Sequence, residues 1–303
     1  MSKDIGQSVF QRLKNLAKAR EENHNFLLER YAMERLFYRL GLSSYDKQLV
    51  LKGGMRLLAI WRNSHRVTRD ADFLGHGISD PESIERIFKE ICAIEPEYSD
   101  GVVFDTETIK SKAIKEGEPY PGVHIELACQ IYTAKLKLQI DIGFGDKVTP
   151  EAEIIDFPTL LDAPAPKLYA YPLYTVVAEK FEAMIALGIT NSRMKDFFDV
   201  WFISQEFDLN GNLLQKAILN TFKWRQTPIP ESIPFPLTIE FSTDQNKIIQ
   251  WNAFCKKNLK TTSVAFETVI EKISDFLMPI IQAIQSNQEF DLDWSAEKQS
   301  WNK

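Results

Sequence analysis

Two consecutive stretches of this chain alternate strictly between apolar and polar or small residues. Val123, Ile125, Leu127, Cys129 and Ile131 mark one, and Leu136, Leu138, Ile140, Ile142 and Phe144 the other. A period of two is the pattern of a strand that buries one face. Thr133-Ala134 between them is short enough for a tight turn, so the two strands pair as neighbours. Val102–Lys115 supplies a third strand, reached through Gly117-Glu118-Pro119. The expectation is an antiparallel meander with one buried face and one polar face.

Asp141 lies on the polar face, in parity with Lys137 and Gln139. Two other acids stand upstream. Leu49-Val50-Leu51 leads into Lys52-Gly53-Gly54, then an apolar helix-like run over residues 55–62, then Thr68-Arg69-Asp70-Ala71-Asp72-Phe73. If residues 66–74 form a strand, Thr68, Asp70 and Asp72 share one face, and Val67, Ala71 and Phe73 the other. Neighbouring carboxylates repel, and a divalent cation between them removes that cost. Mg²⁺ takes oxygen ligands and is usually held by one or two carboxylates plus substrate phosphates. The glycines let backbone N–H groups come close to a phosphate. Asp70 and Asp72 are therefore candidate metal ligands. Asp141, on a neighbouring strand, would complete a clamp for paired ions. The competing reading is a set of solvated acids at strand ends.

Bulk properties narrow the class. With 303 residues the chain can bury a real core in one large or two modest domains. No apolar run approaches the ~18–20 residues that span a membrane. Met1-Ser2-Lys3-Asp4 leads into a polar segment rather than an apolar signal stretch. Cys92, Cys129 and Cys255 are scattered, lack zinc spacing and suit buried thiols in a reducing cytoplasm. A net charge of −6 argues against a general nucleic-acid coat. It leaves room for local basic patches, for which Arg56, Arg62, His65, Arg66 and Arg69 are one candidate group and Lys110, Lys112 and Lys115 another.

The rest of the chain reads mainly as helix. Residues 6–42 carry helical periodicity until Gly41 and Ser43-Ser44 break it. Asp80-Pro81 starts a helix that runs to about Ile94, with Asp80 as cap. Residues 156–169, with Pro158, Pro164 and Pro166, read as a linker. Helices follow over about 173–187, 192–206, 211–224, 246–257 and 263–286. The proline-rich 227–242 reads as irregular, and the polar tail after Ser286 as loosely held. This divides the chain into a core with an N-terminal helical segment, 1–165, and a helical C-terminal domain, 166–303, that completes the site.

Lys180 has Val176, Val177, Ala183 and Met184 as its helical neighbours. A lysine on such a stripe either snorkels at its edge or is aimed at an anion such as a triphosphate. Asp196 and Asp199 lie near one face of the next helix. Lys195 and Asp199 have the spacing of an ordinary surface ion pair. Asp196 has no opposite charge at i±4, which leaves it to orient Lys180 or to accept a proton from an acceptor hydroxyl.

Together, Lys52-Gly53-Gly54, Thr68-x-Asp70-x-Asp72, Glu179-Lys180-x-x-Ala183 and Arg193-x-Lys195-Asp196-x-x-Asp199 resemble the AbiEii/AbiGii-type nucleotidyltransferase toxins of type IV toxin–antitoxin and abortive-infection systems. Glu34-Arg35-Leu36, Arg39-Leu40, Thr221-Phe222, Arg225 and Trp251-x-x-Phe254 fit the same order. The resemblance implies an α/β (α+β) fold: a polymerase-β-like nucleotidyltransferase core with a mixed sheet, then a helical C-terminal domain. It implies Mg²⁺ (or Mn²⁺), an NTP substrate, tRNA as acceptor and an antitoxin encoded nearby. By matching positions, Asp70 and Asp72 bind metal and, with Lys180 and Asp196, carry catalysis. Lys52, Gly53, Gly54, Thr68, Arg69, Lys180 and Lys195 bind nucleotide. The wider superfamily has glycine-serine where this chain has Gly53-Gly54, so Thr68 is expected to supply the missing hydroxyl. The alternatives are transfer to a small molecule or a protein side chain on the same scaffold, a non-catalytic nucleotide-binding module, or a helical adaptor whose acids are structural.

Overall fold

The computed structural model describes residues 5–60, 68–77, 79–114, 122–259 and 264–303. Arg62, His65, Arg66, Val67 and Lys115, singled out above, lie outside them. The chain gathers into two compact units. One comprises residues 1–64, 68–146 and 153–170, and the other residues 65–67, 147–152 and 171–303.

The first unit opens with α1 (Ile5–Arg20) and α2 (His24–Leu42). The sequence pattern runs through 6–42 without a break, but Asn23 interrupts it by capping α2 through Phe26 N. Next come β1 (Leu49–Lys52), α3 (Gly53–Ile60), β2 (Ala71–Gly75) and α4 (Pro81–Ala93), whose cap is Asp80. β3 (Val102–Ile114), β4 (Gly122–Ile131) and β5 (Ala134–Phe144) form the expected antiparallel meander. β6 (Glu153–Asp156) and β7 (Lys167–Ala170) follow.

Among the described residues the sheet has seven strands in the order β3-β4-β5-β2-β1-β7-β6. It is mixed, because β2 runs parallel to β5 and β1 parallel to β7. Its apolar face, with Ala71, Phe73, Val123, Ile125, Ile140 and Ile142, joins the buried core formed with α1, α2 and α4.

Two expectations fail here. β2 begins at Ala71, so Thr68 and Asp70 precede the strand and do not share its parity. The proline-rich 156–169 is not a linker. Its ends belong to paired strands, and Phe157 and Leu160 are buried. Glu34 accepts a bond from Leu160 N, and Arg35 donates to Pro164 O, so buried charges on α2 hold this loop in place. Prolines only forbid donors. They say nothing about side chains further along the loop.

The second unit contains α5 (Leu173–Leu187), α6 (Met194–Glu206), β8 (Leu209–Asn210), α7 (Gly211–Arg225), α8 (Ile239–Thr243), α9 (Gln245–Asn258), α10 (Phe266–Gln285), β9 (Asp293–Ser295) and β10 (Ser300–Asn302). The irregular 227–242 holds a 3₁₀ turn at Phe235–Leu237 and the start of α8. The tail is anchored, contrary to its polar composition. Trp294 is buried and donates to Ser204 O, while Trp301 stacks on Phe276 and donates to its carbonyl. Two large rings outweigh the polar residues around them. Among the described residues, no helix is long and apolar enough to cross a membrane.

Candidate active site

The strand registers of the first unit place the chemistry. Lys52 pairs with Asp72, Asp72 with Asp141, Asp141 with His124, and His124 with Lys112. Directly paired residues point to the same face of a sheet. One polar row therefore crosses five strands in the order Lys112, His124, Asp141, Asp72, Lys52, on the face opposite the core. The two acids occupy its middle as nearest neighbours on parallel strands. Like charges so placed are destabilising. At ~5 Å and an effective dielectric of ~20 the repulsion is about 3 kcal/mol before solvent screening, which is substantial here because the Asp141 side chain is 44% exposed.

A lysine and a histidine flank the pair. Lys52 Nζ bonds Asp146 Oδ2 at 2.7 Å and lies over Gly143, where a Cβ would meet it at 3.4 Å. His124 Nδ1 lies 2.6 Å from Asp141 Oδ1. Its Nε2 is 3.5 Å from Glu126 Oε1, and Glu126 is in turn held by Lys137 at 2.7 Å. The Lys137 bond, followed by that of Gln139, holds the Glu126 carboxyl below its ordinary range. His124 was not among the sequence candidates. Its signal was present, since it has the parity of Asp141 one strand away, but strand register cannot be read from a single alternating pattern.

The glycines sit at the junction of β1 and α3. Gly53 is left-handed, with φ +65, and a Cβ there would lie 2.7 Å from Asp72 Cγ. Asp72 thus packs directly against the Gly53 backbone. A Cβ on Gly54 would meet Thr68 Oγ1 at 2.6 Å. The Thr68 hydroxyl therefore lies beside the first turn of α3, where backbone N–H groups are unsatisfied by the helix and favour an anion.

Other sequence candidates are placed differently. Asp70 is exposed, in a bend ahead of β2. Among the described residues no three His, Cys, Asp or Glu side chains are gathered as a metal cage. The donor chemistry of Asp72 and Asp141 still suits Mg²⁺, which needs only one or two carboxylates when phosphates and water supply the rest. Arg69 is exposed and lies 3.6 Å from Glu29. Arg56 is buried and paired with Glu153, so it belongs to no surface patch. Burial first, opposed by Glu153, pulls its basicity down. Lys110 and Lys112 are exposed, on the side of β3 that carries the polar row.

In the second unit, Lys180 Nζ lies 2.7 Å from Asp196 Oδ1 and 2.8 Å from Asp199 Oδ2. Arg193 Nε reaches Asp196 Oδ2 at 2.8 Å. Both aspartates are at most 1% exposed. Burial pushes the Asp196 carboxyl up, but Lys180 and Arg193 outweigh it and hold the group below the usual range. Asp199 is thus buried and held by Lys180, and Asp196 does have partners, at i−3 and on α5. Nearby, Arg225 bridges Glu179 and Glu182, and Thr227 donates to Glu182.

A mixed sheet with a glycine turn into a helix, followed by a helical C-terminal region, agrees with what family membership establishes, a nucleotidyltransferase. The chain belongs to the family described as nucleotidyl transferase AbiEii toxin of type IV toxin–antitoxin systems, which it matches over residues 35–272. Among solved structures it is similar to JHP933 from Helicobacter pylori, at 14% identity and a TM-score of 0.50, covering 88% of this chain and 95% of that one. A second crystal structure, of a putative nucleotidyltransferase from H. pylori, has 14% identity and a TM-score of 0.49, covering 88% of this chain and 100% of that one. At that identity JHP933 speaks to the fold alone. A search of curated proteins gave no match.

Proposed function

We propose that this nucleotidyltransferase uses Mg²⁺ to move an NMP from an NTP to a hydroxyl of tRNA, and that an antitoxin restrains it in the cytoplasm. The observation that carries the reading is the Asp72–Asp141 pair in register beside Gly53. Asp72 and Asp141 would hold a divalent ion, which would supply positive charge for the transferred phosphoryl group. Gly53 and Gly54 present backbone N–H groups to the triphosphate, and the Thr68 hydroxyl adds a donor where the superfamily serine is missing. Lys52 brings a positive charge to the same end of the row. Asp70 and Arg69 precede the strand and approach the nucleotide from the loop. The acceptor oxygen attacks phosphorus as the bond to pyrophosphate breaks. The gain comes mainly from positioning and charge stabilisation.

Lys180 supplies phosphate charge in this reading, and Asp196 and Asp199 orient it. A buried carboxylate with lowered pKa is a poor proton acceptor at neutral pH, so orientation suits Asp196 better than base catalysis. Lys195, exposed on the same helix, remains a nucleotide contact. For the acceptor, Lys110 and Lys112 offer a local basic track despite the net charge of −6. That same acidic balance favours a second reading, in which the acceptor is a small molecule or a protein side chain.

The test is to incubate purified protein with Mg²⁺ and each labelled NTP, together with total tRNA, cell protein or an aminoglycoside. Label is expected in tRNA, and absent with Asp70→Ala. Label in protein or aminoglycoside alone would support the second reading. Full activity of Asp70→Ala would remove the assignment of that residue.

A further inference from the structure

The polar row contains one group that neither the family match nor the sequence motifs assign. His124 faces Asp141 from β4, its Nδ1 2.6 Å from Oδ1. Its other nitrogen faces Glu126 at 3.5 Å, and Lys137 and Gln139 fix Glu126 at 2.7 and 3.3 Å. The ring therefore lies between carboxylates of two paired strands, and its Nδ1 makes the closer contact. Asp141 has the opposite surroundings. Its side chain is 44% exposed, on the free face of the sheet, with Asp72 as its like-charged neighbour. The His124 bond ties one oxygen of an exposed carboxylate that stands next to another acid.

We propose that His124 is a positioning residue for the acidic pair: its Nδ1–H donates to Asp141 Oδ1 and leaves Oδ2 to bind the divalent ion. The inference rests on the reading of Asp141 as a metal ligand. The logic is that of outer-shell partners generally, which orient a ligand without touching the ion and whose loss typically costs ~10–100-fold in metal affinity or activity. The sheet makes the arrangement rigid. The register that sets Asp141 against Asp72 also sets His124 against Asp141, so any change of pairing would lose both at once.

The experiment is a Mn²⁺ titration of the purified full chain without nucleotide, read by the paramagnetic resonance of free Mn²⁺. It is run on wild type, Asp141→Ala, His124→Ala and His124→Asn. Asparagine can place an amide N–H near the position of Nδ1. The expectation is that Asp141→Ala and His124→Ala both weaken Mn²⁺ binding, the latter ~10–100-fold, and that His124→Asn restores most of it. Melting temperatures of the His124 variants without metal should stay close to wild type, which separates loss of binding from loss of fold. If wild type takes up no Mn²⁺, or Asp141→Ala binds it as wild type does, the metal reading fails and the inference with it. If Asp141→Ala is impaired while His124→Ala binds normally, the role of His124 alone is overturned. Equal impairment of His124→Asn and His124→Ala would overturn the Nδ1–H donor.

Discussion

Replacing Gly53 by alanine separates the two things a glycine can do at this site. The residue is left-handed, with φ +65, and an added Cβ would sit 2.7 Å from Asp72 Cγ and 2.9 Å from Asp72 Cβ, with Oδ2 closer still. Favourable carbon contacts lie at ~3.5–4.0 Å. The clash includes the Cβ, which no side-chain rotation can move. The Asp72 carboxylate must therefore retreat by on the order of 1 Å, a displacement that can cost ~10²-fold in rate at a reacting centre. The left-handed backbone adds ~1–2 kcal/mol of destabilisation. Gly77 is the control, since it has φ +91 but nothing within 4 Å of an added Cβ. Gly53→Ala should lose about two orders of magnitude in kcat for nucleotidyl transfer. Gly77→Ala should show a similar loss of stability by thermal melting but keep its rate. A Gly53→Ala protein with wild-type kcat would refute the claim that Asp72 must hold its place against this turn.

Three further outcomes follow. Lys180→Met leaves Asp199 without its 2.8 Å ammonium partner, and breaking a buried pair this way costs ~3–5 kcal/mol. Adding Asp199→Asn should recover much of that in urea unfolding without recovering transfer, and recovered transfer would exclude a phosphate role for Lys180. Arg39→Ala should cost ~3–5 kcal/mol in the same assay. It strips Asp100, 7% exposed, of an Arg39 bond at 2.6 Å, and a loss below about 1 kcal/mol would mean that the pair behaves as a surface one. Burial, opposed by Arg30 and the Leu160 N–H, raises the Glu34 carboxyl to about 7 from 4.5. The folded state then binds more protons than the unfolded one between those values, so stability is full below ~4.5 and falls as pH rises to ~7, by at most on the order of 3 kcal/mol. Glu34→Gln should flatten that part of the pH–stability curve, and an unchanged slope would contradict the assignment.

The elements that could be read from the sequence were those whose signal is local. The alternating runs at 123–131 and 136–144 gave β4 and β5, and Asp80-Pro81 gave the start of α4, because period and capping are properties of neighbouring residues. The glycine turn into α3 was legible for the same reason. What escaped depends on partners distant in the chain. Lys167–Ala170 forms a strand only because β1 and β6 are there to pair with it, and Trp301 is anchored only because Phe276 is beneath it. The burial of Asp199 against Lys180 was hidden because the two lie on different helices, α6 and α5. His124 was invisible as a site residue until the register of β4 on β5 set it opposite Asp141.

The central claim is that Asp72 and Asp141 act as one acidic pair in nucleotidyl transfer. It is tested most directly by the initial rate of pyrophosphate release, with Mg²⁺, labelled NTP and tRNA, in wild type, Asp72→Asn, Asp141→Asn and the double variant. The account predicts that each single variant melts no lower than wild type, since losing either acid relieves the repulsion between them, and is severely slowed. It also predicts that the double variant is little worse than the more damaged single one, because residues that act as a unit are not additive. Wild-type rates in both single variants, or losses that multiply in the double, would contradict it.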